Sequence, residues 1–95
     1  MFEWDTKKAG SNRTKHGVSF EEAGTAFFDS NGIDGEDIDH STTEARRFRL
    51  AQSAAGNILV IAYTLRSHDH EKTIRVISAR LANRKEKTRY QEAKD

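Results

Sequence analysis

Arginine recurs through the stretch IRVISARLANRKE, residues 74–86, at Arg75, Arg80 and Arg84, and Arg66 closes the preceding apolar stretch ILVIAYTLR. A guanidinium presents a planar fork of donors that matches a phosphate, so arginines gathered from strand ends and a helix start make an anion clamp. With a final helix beginning near Arg80, Arg80 and Arg84 stand four residues apart on one helical face. Lys72 and Arg75 then lie near Arg66 across a hairpin. The competing use of Arg80 and Arg84 is structural: pairing with Glu86, or with acids of residues 19–44, to hold helix to sheet. Both uses are compatible with the sequence.

Other chemistries are less favoured. The chain has no cysteine, which excludes disulfides, thiolate metal sites and a cysteine nucleophile. His68 and His70 flank Asp69, but two histidines in a loop make a weak metal site, and none is expected. DSNGIDGEDIDH is acidic like a calcium loop, yet counted from Asp29 its sixth position is Asp34 where that loop requires glycine.

The elements that must position the arginines can be read from periodicity. FEW, residues 2–4, reads as a short strand followed by a capping Asp5. Residues 6–15 form a polar helix that stops at Gly17. In VSFEEAGTAFFD, Ser19 and Glu22 have capping-box spacing, and Phe20, Ala23 and Phe27 have helical spacing. SNGIDGEDIDH reads as loop. RRFRLAQS alternates, with Phe48 and Leu50 on one face and Arg47 and Arg49 on the other. ILVIAYTLR is apolar on both faces, as befits a central strand, and TIRVISA follows as the third strand of an antiparallel meander. A helix from about Leu81 to Ala93 ends the chain. The expectation is one α+β domain over residues 1–95, in the order β-α-α-β-β-β-α.

Net charge is only +1 over the 95 residues, but the charge is segregated. Residues 19–44 carry eight acids and no lysine or arginine. Residues 66–90 carry eight such bases against three acids, and residues 45–65 add three arginines with no acid. Such polarity points to an anionic partner such as nucleic acid. The acidic stretch could repel RNA from the wrong face, dock a basic partner segment, or simply be solvated. The longest apolar run, Ile58 to Tyr63, is far short of a membrane span, and the first residues have no signal-peptide h-region. A cytoplasmic location is therefore expected.

FEWD at the start, KHGVSFEEA at 15–23, YTLR at 63–66, IRVISAR at 74–80 and RKEKTRY at 84–90 resemble the BrnT family of bacterial toxins, in the same order over nearly the whole chain. The resemblance implies a RelE-like α+β fold of the RelE/ParE superfamily and a type II toxin that arrests growth by cutting RNA. It also implies a cognate antitoxin, expected to bind DNA, in a hetero-oligomer with the toxin. Arg66, Arg80 and Arg84 would hold the scissile phosphate. The family acid two residues beyond Arg66 is replaced here by His68. Cleavage without metal or cofactor also needs proton transfer, for which His16, His68, Asp69 and Glu71 are the candidates. Lys72, Arg75 and Lys85 would bind RNA. The alternatives are an inactive relative that binds antitoxin or nucleic acid, and a toxin that poisons another protein. His16 could instead finish the first helix, Trp4 is expected in the core beneath that helix, and Tyr90 would either stack on a base or close the last helix onto the sheet.

Overall fold

The computed structural model describes residues 1–36, 46–68 and 70–95, with the side chain of His68 excepted. Five strands form one mixed sheet: β1 (Phe2–Glu3), β2 (Ile33–Glu36), β3 (Arg46–Gln52), β4 (Ile58–His68) and β5 (Glu71–Leu81), in the order β1-β5-β4-β3-β2. The helices are α1 (Thr6–His16), α2 (Phe20–Thr25) and α3 (Arg84–Lys94), and a 3-10 turn (Ala26–Phe28) follows α2.

The anticipated helix ends are present. The Asp5 carboxylate accepts from the amides of Lys7 and Lys8, Ser19 accepts from that of Glu22, and Gly17 closes α1 at φ 71°. The Glu22 carboxylate reaches across to Ser53 Oγ (2.7 Å) and Asn57 Nδ2 (2.8 Å), tying α2 to the turn between β3 and β4.

Three expectations need correction. The sheet is mixed, because β1 runs parallel to β5 with Phe2 opposite Ile74. Residues 33–36 are an edge strand on β3 rather than loop: Ile33 sits opposite Leu50 and packs beside it, a single apolar anchor among polar neighbours. The last helix starts at Arg84, since β5 continues through Leu81 and Asn83 closes a capping box with Glu86. Residues 37–40 of the expected loop, and the acids Asp37, Asp39 and Glu44, lie outside the described residues.

Alternation divides the sheet into two faces. On the covered face α1 and α2 bury Val18, Phe20, Ala23, Ala26, Ala51, Leu59, Ile61, Val76 and Ala79. Trp4 packs against this core, edge-on to Phe20 at 6.1 Å. On the other face α3 covers only one end, where Tyr90, Leu50 and Ala82 cluster with Ile33, Ile58 and Val60. Among the described residues no further helix covers that face, called the open face below, although Thr64 and Thr73 toward its far end are buried.

Candidate active site

Residues opposite one another in register share a face. On the open face this gives three rows across β3, β4 and β5: Leu50–Val60–Arg80, Phe48–Ala62–Ser78 and Arg46–Thr64–Arg75. Ile77 is an extra residue in β5, a bulge that lets Ser78 face Ala62 and Val76 face Tyr63. A cavity of about 550 Å³ opens over the first two rows. Phe48, Val60, Ala62, Ser78 and Arg80 form its floor, Glu86 and Arg89 of α3 one wall, and His16 the other.

Each wall has a local cause. Along β5, beyond its short pairing with β1, Asn12 takes the place of a neighbouring strand. Its side chain donates to the Ala79 carbonyl (2.8 Å) and accepts from the Ala79 amide (3.1 Å), laying α1 along β5. His16, one turn further on, therefore stands at the cavity rim. Opposite, Tyr90 is 2% exposed and anchors α3 by donating to Asp29 Oδ2 at 2.6 Å. Burial pushes the Asp29 carboxyl up, but hydrogen bonds from Tyr90 and from the amides of Gln52 and Asn31, with the nearby Arg49 charge, outweigh it and hold the group below its ordinary value. The Tyr90 phenol, buried and held by Asp29, is pushed up to about 12. Tyr90 thus closes the helix onto the sheet, and its inward ring has no free face for a base.

Arg80 makes a two-pronged pair with Glu86, Nη1 to Oε1 and Nη2 to Oε2, each 2.8 Å. The Arg80 hydrogen bond holds the Glu86 carboxyl below its ordinary range, and the same bond raises Arg80. The helix-to-sheet pairing considered from sequence is therefore present, yet the Arg80 side chain is still 42% exposed and lines the cavity. One residue can do both.

The structure separates what the sequence reading grouped. Arg80 lies in β5, so it does not share a helical face with Arg84. Arg84 and Lys85 line a separate hollow of about 560 Å³ on the side of α3, with Thr88, Arg89 and Glu92. Arg66 pairs in register with Thr73, and Arg80 lies seven residues further along β5, roughly 20 Å away at about 3.3 Å per residue. Arg66 and Arg80 thus sit at opposite ends of the hairpin, and a phosphate held in the cavity is not also held by Arg66. Arg75, across from Thr64, is paired with Glu3 at 3.5 Å. Glu71 shares the Arg66 end, whereas alternation sends Lys72 to the opposite face. Asp69 and the His68 side chain lie outside the described residues. Of the candidates named from sequence, the cavity brings together Arg80 and His16; Phe48, Glu86 and Arg89 join them without having been singled out as site residues. Among the described residues no three His, Asp or Glu side chains are grouped as for a metal ion.

The chain is thus a small α+β domain whose five-stranded sheet carries α1 and α2 on one face and, on the other, α3 beside an arginine-rimmed cleft. The family described as "Ribonuclease toxin, BrnT, of type II toxin-antitoxin system" matches residues 4–86, and the chain belongs to it. It is a ribonuclease toxin whose partner is a protein antitoxin. The crystal structure of the ribonuclease toxin BrnT from Brucella abortus is similar in fold, with a TM-score of 0.63 at 20% identity, covering 88% of this chain and 99% of that one. No curated protein matches the chain.

Proposed function

We propose that the cavity bounded by His16, Arg80, Glu86 and Arg89 is where this toxin cuts RNA, by attack of the ribose 2′-oxygen on the adjacent phosphorus. The observation that carries this reading is the convergence of two guanidiniums and an imidazole, from three separate elements, on one open cleft. Arg80 and Arg89 would neutralise the charge that builds on the phosphoryl oxygens. Removing one well-aimed donor of this kind costs about 3–4 kcal/mol in the transition state. His16, at the cavity rim, would take the 2′-OH proton or supply one to the departing 5′-oxygen. The products are a 2′,3′-cyclic phosphate and a free 5′-OH, with no metal required. Arg66, Arg75 and Glu71, at the far end of the same face, would meet neighbouring nucleotides. Arg84, Lys85 and Lys72 would add charge outside the cleft.

In this reading the fold is RelE-like, the protein works in the cytoplasm, and its antitoxin binds DNA. The test is cleavage of a single-stranded RNA in the presence of a chelator, beside the same strand with one 2′-deoxy nucleotide at the mapped cut. Cleavage of the first and survival of the second at that position support the mechanism. Equal cleavage of both, or complete loss of activity with chelator, would overturn it.

A further inference from the structure

Phe48 stands apart from the other aromatic side chains. On the covered side Trp4 meets Phe20 and Phe27 meets Tyr63, and Phe2 contacts both Phe27 and Phe28. Phe48 belongs to neither apolar core cluster, and among the described residues no ring packs on it. It is half-buried on the open face and lines the cavity in one row with Ala62 and Ser78, beside Arg80. The small side chains at 62 and 78 leave space next to the ring. On its other side, across β2, sits Gly35: a Cβ there would come within 2.8 Å of Phe48 Cζ. The tip of the ring therefore rests over a glycine, which lets it lie close to the β2 backbone.

We propose that Phe48 is a stacking platform for one nucleobase of the bound RNA, beside the phosphate that Arg80 and Arg89 hold. The proposal rests on the cleavage reading above and deepens it by adding a base subsite. A single-stranded RNA can splay a base onto an aromatic side chain while its backbone follows the neighbouring cations. Here ring and cations line one cavity of about 550 Å³, within the range of small-ligand sites. Stacking on a phenyl ring acts through the face of the base, so the subsite would favour a well-stacking purine over a pyrimidine.

The test uses an RNA carrying 2-aminopurine next to the mapped cut and a 2′-deoxy nucleotide at the cut. Wild-type protein should quench the 2-aminopurine on binding. Phe48→Leu should abolish the quenching and raise KM for the cleavable RNA about 5- to 150-fold, the loss of one stacked base, with kcat little changed. Phe48→Trp should restore both. Gly35→Ala, which displaces the ring without removing it, should weaken quenching and provides a second variant should Phe48→Leu fold poorly. Wild-type quenching and KM in folded Phe48→Leu would overturn the proposal, as would a defect confined to antitoxin binding, which would make Phe48 part of the protein interface. If Arg80→Ala cleaved as wild type, the cleavage reading itself would fail, whatever Phe48 does.

Discussion

Arg49 and Arg80 sit on opposite faces of one sheet and do opposite work. Arg49, on the covered face, is 11% exposed. Its Nε donates to the Ala26 carbonyl (3.0 Å), Nη1 to Asp34 (2.6 Å) and Nη2 to the Asp29 carbonyl (2.5 Å), and it lies over the Phe27 ring at 5.4 Å. Asp34 also accepts from Tyr63, which in turn accepts from Arg47 Nε. Burial, and then the bond to Asp34, raises the Tyr63 phenol. Every charge in that network is answered from within the fold. Arg80 has one carboxylate partner and an open cavity beside it. A guanidinium with its donors consumed is a structural tie, whereas one with exposed donors beside a cleft is available to a ligand.

Substitutions can break this contrast from either side. The largest expected effect is on stability: Arg49→Ala removes the buried cation that pairs with Asp34 and donates to the Ala26 and Asp29 carbonyls, and should cost about 3–5 kcal/mol in urea denaturation. Cleavage per folded molecule should be unchanged, and a loss under 1 kcal/mol would mean that the covered-face network is not a tie. Smaller is Tyr90→Phe, which removes the hydrogen bond to Asp29 and should cost about 1–2 kcal/mol. Because the folded Tyr90 phenol is raised to about 12, its contribution is present below pH 10 and lost as pH rises from 10 toward 12. The wild type should therefore lose stability over that alkaline window more steeply than Tyr90→Phe, and parallel curves would rule out the anchor. Smallest is Glu86→Gln. The folded Glu86 carboxyl is lowered, so its contribution is present above its ordinary value of 4.5 and lost as pH falls below it. Thermal melts should show this acid sensitivity in the wild type and less of it in the variant; an unchanged slope would mean that the pair with Arg80 adds nothing to the docking of α3.

Much of the frame was legible because its signals are local. Asp5, Ser19 and Gly17 bound their helices through short-range hydrogen bonds and one left-handed residue, and alternation separates Phe48 and Leu50 from Arg47 and Arg49, though it is the arginine face that the helices cover. β2 escaped notice because an edge strand needs only one buried anchor, and IDGE has no period. The arginine clamp was misassembled for a geometric reason. Arg66 and Arg80 both lie near the C-terminal ends of their strands, but in an antiparallel hairpin those ends lie at opposite ends of the sheet. His16 looked like a helix terminator and is one; its place at the cavity rim follows from Asn12 pairing with Ala79, a contact across 67 residues that no local pattern announces. In the sequence Glu86 reads only as a partner for arginine, and Arg89 only as charge. Their place in the cavity wall depends on Tyr90 finding Asp29.

The central claim is that RNA is cut at the Arg80 end of the open face, and the most direct measurement compares Arg80→Ala with Arg66→Ala. Both purified proteins, checked for a folded spectrum, would be assayed for kcat and KM on one single-stranded RNA. We expect kcat for Arg80→Ala to fall about 10²- to 10³-fold, while Arg66→Ala raises KM and leaves kcat within a few-fold of wild type. Near-normal kcat in Arg80→Ala with a collapse in Arg66→Ala would contradict the account and move the chemistry to the hairpin end of the sheet.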